Sequence, residues 1–386
     1  MGVSAFFITM KLCNPDFDIK QVVPIDSAVQ FVKEDILKQT TTMPEPTTEE
    51  ITTRPPNYDY AEDIEFAFDT SLQGNQVGNL LNASRGAVTF SSTYNYISID
   101  NGGIYRFEPN EEVNSQVRVN NYNYKYLNVL GDFIYYIDTA SNKLLRSKVA
   151  GGDDKEIADN IAFVYLYSDK LYFIGTDNTV GYIKTDDFSK TVLYTAQPTK
   201  ELRFVGISLY RIFFTEVDKS TKNCEYITVS IKDIGDKQYF RDDTAEGEII
   251  NMQLECGYMY YYQRQSDNTY NLVRQKFGSA ETVTLLSNCT YKDYPSVAGN
   301  RVYYTELEGS RLKAMELNMN NKNTKVMLSM GGADLSATAA VCYANSYTYL
   351  VGAVTANGDV QYRASSIYTS SSADNTMAFY DGAWHY

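Results

Sequence analysis

After Phe68 the chain reads as short apolar runs separated by turns rich in Gly, Asn, Asp and Ser. That punctuation predicts strands, not helices. One aromatic or aliphatic run recurs: Tyr96-Ile97-Ser98, Ile134-Tyr135-Tyr136, Leu171-Tyr172-Phe173, Ile212-Phe213-Phe214, Met259-Tyr260-Tyr261, Val302-Tyr303-Tyr304 and Thr348-Tyr349-Leu350. Successive copies lie 38, 37, 41, 47, 43 and 46 residues apart. A period of roughly 40–50 residues suits a four-stranded propeller blade. An apolar strand is predicted before each run: Ala87 to Phe90, Tyr126 to Leu130, Ala162 to Tyr167, Leu202 to Ile207, Ile249 to Leu254, Ser296 to Ala298 and Ala339 to Tyr343. A third strand follows each run after a polar turn, and a more polar fourth closes most units, as at Thr191 to Tyr194 and Thr282 to Leu286. The expected fold is all-β, a propeller of seven blades with six or eight as the alternatives. A blade packs both faces on its neighbours, so its inner strands are apolar at successive positions. An adjacent aromatic pair then places one ring on each face.

The first 70 residues break this pattern. Gly2 to Met10 is apolar and is followed by Lys11, without the basic leader of a signal peptide. It reads as the remnant of a membrane anchor or as a short apolar tail. Residues 26–38 can form one short helix, capped by Asp26 or Ser27, with Val29, Val32 and Ile36 on one face. Between Thr40 and Pro56 stand seven Thr and four Pro. Such a segment cannot bury enough apolar surface to offset chain entropy, and proline extends it. The expected organisation is an N-terminal segment over 1–38, a disordered Thr/Pro/acidic stalk over 39–70 and the propeller over 71–386.

Composition changes the picture in three places. The 386 residues include 34 Tyr and 18 Phe but one Trp, which favours packed β surfaces. The formal net charge is -14, half of it from the segment Gln39 to Thr70, and no basic stripe is present. A phosphate backbone would be repelled, so nucleic acid is not an expected partner. The five cysteines are odd in number, widely spaced and without a C-x-x-C pair. Zinc sites want close ligand pairs, so no metal and no cofactor are expected. The thiols read first as small buried hydrophobes, with one disulfide among Cys224, Cys256, Cys289 and Cys342 as the other reading.

The approach to the first unit reads Gly74-Asn75-Gln76-Val77-Gly78-Asn79-Leu80-Leu81-Asn82, followed by Gly86, and Leu144-Leu145-Arg146 marks a third strand. With the repeated Tyr-Tyr runs, these residues resemble a domain family of unknown function from Gram-positive bacteria, described as a low-density-lipoprotein-receptor-related-protein-like β-propeller. The resemblance covers about residues 74 to 330. It departs at Leu209-Tyr210-Arg211, where Gly-Asp is usual, and in the seventh unit, which lacks the aromatic pair. The resemblance implies an extracellular or cell-surface location, often behind a membrane segment. It supplies no catalytic residues.

Candidate chemistry is sparse. The single histidine, His385, is next to the last residue. A Ser-His-Asp or Cys-His arrangement would have to use the chain end. Ser98 to Tyr105 is similar to the turn motif of sialidase-type propellers, and its Asn-Gly reads as a hairpin turn. Asp153-Asp154, Asp186-Asp187 and Asp242-Asp243 are acid pairs of the kind glycoside hydrolysis requires, but each falls in a predicted turn, where Asp favours the local backbone. What remains is a binding face near the central channel, formed by loops that enter the inner strands. Two such loops are rich in tyrosine, and Tyr122, Tyr124, Tyr291, Asp293 and Tyr294 are the candidate binding residues. Tyrosine with Asn and Asp is common where proteins grip sugars or peptides. The expected function is a non-enzymatic binding or scaffolding propeller, a monomer outside the cell, recognising a glycan, peptide or surface protein. It would meet a membrane only through a lost N-terminal anchor, if Gly2 to Met10 is the remnant of one and not a short apolar tail. The alternative is a carbohydrate-active hydrolase or lyase with a carboxylate pair at the channel face.

Overall fold

The computed structural model describes residues 69–386 with Ile64 and Phe66, except 100–101, 110, 122–123, 242–248, 310, 332–338, 355–358, 367–376 and 386. The expected anchor remnant, the helix over 26–38 and nearly all of the stalk over 39–70 fall outside these residues. The described residues belong to one unit, Asn57–Tyr386. No helix among them is long and apolar enough to cross a membrane.

Strands follow one another in seven antiparallel sheets. The first comprises β1 (Val88–Phe90), β2 (Asn95–Ile99), β3 (Gly103–Phe107) and β4 (Val117–Asn120). The second holds β5 (Tyr124–Leu130), β6 (Phe133–Asp138), β7 (Lys143–Lys148) and β8 (Lys155–Ala158), and the third β9 (Ile161–Tyr167), β10 (Lys170–Gly175), β11 (Thr179–Lys184) and β12 (Lys190–Thr195). The fourth has β13 (Lys200–Ile207), β14 (Arg211–Asp218), β15 (Cys224–Ser230) and β16 (Lys237–Arg241), and the fifth β17 (Ile249–Glu255), β18 (Tyr258–Arg264), β19 (Tyr270–Lys276) and β20 (Thr282–Leu286). The sixth has β21 (Ser296–Ala298), β22 (Arg301–Glu308), β23 (Arg311–Asn318) and β24 (Thr324–Gly331). The seventh runs β25 (Ala339–Ala344), β26 (Tyr347–Val354), β27 (Asp359–Ser366), β28 (Met377–Tyr380) and β29 (Ala383–His385). The chain is a seven-bladed β-propeller. The count of seven holds although the fourth and seventh units depart from the repeat, and the last blade gains a fifth strand.

The aromatic pairs do what successive burial requires. Seven apolar clusters fill the seven spaces between blades, and each pair is split between two of them. Tyr135 packs toward blade three and Tyr136 toward blade one. Tyr260 faces blade six and Tyr261 blade four. Tyr303 faces blade seven and Tyr304 blade five. Polar residues of the inner strands reinforce the spacing. Asn128 donates to Val164 O at 3.3 Å and accepts from Leu166 N at 2.9 Å, and Gln253 Nε2 donates to Pro295 O at 2.7 Å. Each such bond satisfies a buried polar group that would otherwise cost stability.

Among the described residues no strand is exchanged between the first and last blades, since β25 to β29 all come from the C-terminal stretch. Side chains close the ring instead. Tyr105 and Phe107 meet Phe379 and Trp384 edge to face, with ring centroids 5.2 Å apart in each pair. Asn95 Nδ2 donates to the Tyr349 hydroxyl at 2.8 Å, and the Tyr362 hydroxyl donates to Ser98 O. Trp384 is buried at this seam. Trp384→Ala is expected to cost about 3–5 kcal/mol, read as a lower midpoint of chemical denaturation, with amide exchange rising first in blades one and seven.

The chain approaches the propeller over blades four and five, where Ile64 and Phe66 pack. The Phe66 ring lies 5.1 Å from Phe277 and 6.2 Å from Phe213. After a 3-10 turn (Thr70–Leu72) the chain enters the central channel and forms one short helix, α1 (Val77–Leu81). This segment touches the innermost strand or its preceding loop in blade after blade. Asn75 Nδ2 donates to Val88 O and Leu127 O, Val129 N to Gly74 O, and Gly74 N to Leu166 O. Asn79 Nδ2 donates to Tyr343 O at 2.8 Å, while its Oδ1 accepts from Tyr343 N and the Ser296 hydroxyl. Asn82 Nδ2 donates to Val341 O. Val77 and Leu80 join the cluster between blades three and four. The segment Gly74 to Asn82 is therefore the axle of the ring.

Candidate functional site

The axle divides the channel into two ends. At the end where inner strands begin, the candidate residues chosen from sequence meet different surroundings. Tyr122 lies outside the described residues. Tyr124 is buried between blades one and two, its ring centroid 3.9 Å from that of Tyr136. Tyr291, Asp293 and Tyr294 come together in the loop before β21. The Tyr291 hydroxyl donates to Ala339 O at 2.9 Å. The Asp293 carboxylate accepts from Ala83 N at 3.0 and 3.2 Å, and Tyr262 donates to Asp293 O. Asp293 thus holds the axle where it leaves the channel. Burial pushes its carboxyl up to about 7 and the neighbouring Tyr294 hydroxyl up to about 12.

The opposite end, where inner strands turn back into second strands, opens into a cavity of about 1190 Å³. It is roofed in part by the incoming chain at Thr70, Ser71 and Gln73, and floored by Gln76 of the axle. Its walls come from the turns of blades one, two, five, six and seven. They bring Tyr94, Tyr96, Tyr258, Tyr260, Tyr303 and Tyr343 together with Phe90, Ser91, Asp132, Glu255, Arg274, Asn300 and Arg301. Blades three and four contribute nothing to the wall because the chain lies over them: Ser168 N donates to Leu72 O and the Tyr167 hydroxyl accepts from Asp69 N.

Glu255 is the unusual group here. It ends the inner strand of blade five and is buried. Gln73 Nε2 donates to it at 2.9 Å, and the Cys256 thiol stands 3.8 Å away. Burial outweighs these bonds and pushes its carboxyl up to about 7. The same desolvation, with the adjacent carboxylate, pushes Cys256 up to about 12, so this thiol is a poor nucleophile. Arg274 lies with its guanidinium 5.0 Å from the Tyr258 ring centroid and 3.4 Å from Met319 Sδ. Arg301 is paired with Glu316 at 2.7 Å.

Raised carboxyls at both channel ends have a consequence for stability. In the folded state Asp293 and Glu255 hold protons up to pH about 7, whereas the unfolded chain releases them near 4. The unfolded state therefore binds fewer protons over this window, and stability falls as pH rises from about 4 to 7. Asp293→Asn and Glu255→Gln keep an acceptor oxygen and remove the charge. Each is expected to raise the thermal midpoint at pH 8, by a stability gain on the order of a few kcal/mol, and to lose that advantage toward pH 4. A gain that does not change with pH would contradict the assignment.

Other sequence candidates lie elsewhere. Asp153 and Asp154 sit in the outer turn before β8, with Asp153 3.5 Å from Arg146. Asp186 and Asp187 occupy the turn before β12, and Asp242-Asp243 lies outside the described residues. His385 ends β29 with its ring stacked on Tyr380 at 3.9 Å and does not border the cavity. Cys256, Cys289 and Cys342 are free thiols, and of the four described cysteines Cys342 alone is buried. Among the described residues no three His, Cys, Asp or Glu side chains gather as a metal site would require. The cavity residues had one signal in the sequence: Glu255 is an acid closing an otherwise apolar inner strand, next to Cys256-Gly257.

No protein family model matches the chain, so the family of unknown function is unconfirmed, and no curated protein matches it. Among solved structures it is similar to one from a study of two prolyl endopeptidases, with a TM-score of 0.54 and 10% identity over 74% of this chain and 48% of that one. It is also similar to oligogalacturonate lyase from Vibrio parahaemolyticus (TM-score 0.47, 10% identity, 75% of this chain and 84% of that one). A third is TolB from Acinetobacter baumannii (TM-score 0.41, 10% identity, 57% and 58%). The chain thus spans about half the length of the prolyl endopeptidase and 58% of TolB. At such identity the likeness concerns the fold, a β-propeller.

Proposed function

We propose that this chain is a binding or scaffolding propeller, monomeric and held outside a bacterial cell, which takes a glycan or peptide in the tyrosine-lined cavity at the turn end of its channel. The cavity carries the reading. Its 1190 Å³ is slightly above the usual range of roughly 300–1,000 Å³ for ligand pockets. Tyrosine offers an apolar ring face with a polar tip, the combination that sugar and peptide surfaces demand. The extracellular setting rests on the Thr/Pro-rich sequence between Thr40 and Pro56, a composition common in tethers of surface domains.

The test is a screen of the full chain against glycans, cell-wall fragments and peptides. Hits are then repeated with Tyr258→Ala in the cavity and Tyr291→Phe at the opposite end. Tyr258→Ala is expected to weaken binding at least tenfold and Tyr291→Phe to leave it unchanged. The reverse pattern would move the site to the loops that enter the inner strands. One observation favours catalysis as a second reading: Glu255, poised near neutral pH, shares the cavity with Asp132. A carboxyl so tuned suits general acid–base work. Cleavage of a glycan hit by the full chain, lost in Glu255→Gln, would replace binding by hydrolase or lyase action.

A further inference from the structure

Two buried groups on the cavity wall are incompletely partnered: Glu255 lacks a counter-charge and Gln76 lacks a donor. The Glu255 carboxylate is 6% exposed and meets only neutral donors, Gln73 Nε2 and the Cys256 thiol. Among the described residues no Lys or Arg nitrogen pairs with it. Gln76, 7% exposed, has a side-chain oxygen that accepts no hydrogen bond at all. The helix α1, which Gln76 directly precedes, packs against β17, the strand that Glu255 ends, and both residues line this cavity. A buried charge is costly without a counter-charge, and a buried acceptor is costly without a donor.

The strand register supplies the wall. Glu255 stands directly opposite Tyr258 in the β17–β18 pair. Opposed side chains share a face of the sheet, with Cβ atoms about 4.5–5.5 Å apart. Tyr260, two residues on, is on that same face. The other charges at the cavity are accounted for. Arg274, on the third strand, rests on the Tyr258 ring. Arg301 is paired with Glu316, and Asp132 is exposed at the mouth.

We propose that the cavity holds its ligand by a primary ammonium group, seated between the Glu255 carboxylate and the Gln76 side-chain oxygen against the Tyr258 ring. An ammonium carries three N–H donors and a positive charge. It supplies the donor that Gln76 lacks and the positive charge that Glu255 lacks. A neutral hydroxyl would satisfy Gln76 and leave Glu255 uncompensated. Burial drives the Glu255 carboxyl upward, and no cation beside it opposes the shift. This inference rests on the binding reading above and specifies the chemistry of that same site. An amino sugar and the free amino terminus of a peptide present the same group.

The experiment is calorimetric titration of the full chain with glucosamine oligomers, their N-acetylated counterparts, and short peptides with free or acetylated amino termini. One amine series is expected to bind, with acetylation weakening it at least 30-fold; which series responds identifies the source. Glu255→Gln is expected to weaken the amine form by a similar factor and to leave the acetylated form unchanged. It should fold as well as the parent, since the amide keeps the acceptor for Gln73. Equal affinity for amine and acetylated forms, or an amine affinity indifferent to Glu255→Gln, overturns the proposal while Tyr258-dependent binding keeps the cavity as the site. Failure of every probe to bind in a Tyr258-dependent way overturns both.

Discussion

Gly78→Ala is expected to lower the stability of the propeller by more than about 4 kcal/mol, the range reserved for severe overpacking and lost buried contacts. A Cβ at position 78 would stand 2.0 Å from Pro295 O and 2.8 Å from Pro295 C, with Ser296 Cα at 2.9 Å. These are backbone atoms of the loop leading to an inner strand, so no side chain can swing aside. To relieve the clash the axle must retreat from blade six, and Asn79, one residue on, would lose its bonds to Ser296 and Tyr343. The control is Gly131→Ala in the turn between β5 and β6. That glycine has φ +59° and nothing within 4 Å of a new Cβ. It should cost only the left-handed backbone penalty, roughly 1–2 kcal/mol. Denaturation midpoints of the two variants decide the matter. A Gly78→Ala protein as stable as Gly131→Ala would mean that the axle does not occupy the channel.

Asn79→Ala is the second change expected to have a large effect. One carboxamide joins the axle to blades six and seven: Nδ2 donates to Tyr343 O and to Asn75 Oδ1, and Oδ1 accepts from Tyr343 N and the Ser296 hydroxyl. Asn79 is wholly buried. Its removal strands several buried polar groups, at about 1–3 kcal/mol each, and several of them together approach the stability of an ordinary domain. Asn79→Asp tests the same site by charge: it keeps the oxygens but replaces the donor facing Tyr343 O with an acceptor. Both variants should expose the seam between blades six and seven to proteolysis before the remainder of the ring. Cleavage that begins in other blades would argue against this role.

Much of the architecture was legible because each blade repeats one physical problem. A sheet buried on both faces must be apolar at successive positions, and Tyr135-Tyr136 or Tyr260-Tyr261 state that in two letters. The predicted inner strands fall within a residue or two of β1, β5, β9, β13, β17, β21 and β25. Conservative departures did not mislead: Tyr349-Leu350 still sends one side chain to each neighbouring cluster. The Cys residues were less legible. Nothing in their spacing shows that Cys342 is enclosed while Cys256 stands at the surface.

The site was harder to see, for a reason that lies in the ring. Tyr291, Asp293 and Tyr294 have the composition of a binding loop, yet Tyr291 and Asp293 direct their polar groups to Ala339 and to the axle at Ala83. Local composition cannot tell a tyrosine that meets solvent from one that meets the next blade. The acceptors at the turn end come from positions 76 and 255. Only closure of seven blades around a threaded segment places them on the wall of one cavity.

The linear order of residues was enough to specify an all-β ring and its paired aromatic faces, with seven blades expected and six or eight left open, because strand period and burial on both sides are properties of neighbours along the chain. It also marked Gly74 to Asn82 as distinctive. Only the tertiary structure decided that this segment is the axle, that the ring closes through Trp384 and Phe107 without strand exchange, and that Glu255 lies buried without a cation. Those facts depend on distances between residues far apart in the chain. Such distances arise when the blades pack, and no local pattern encodes them.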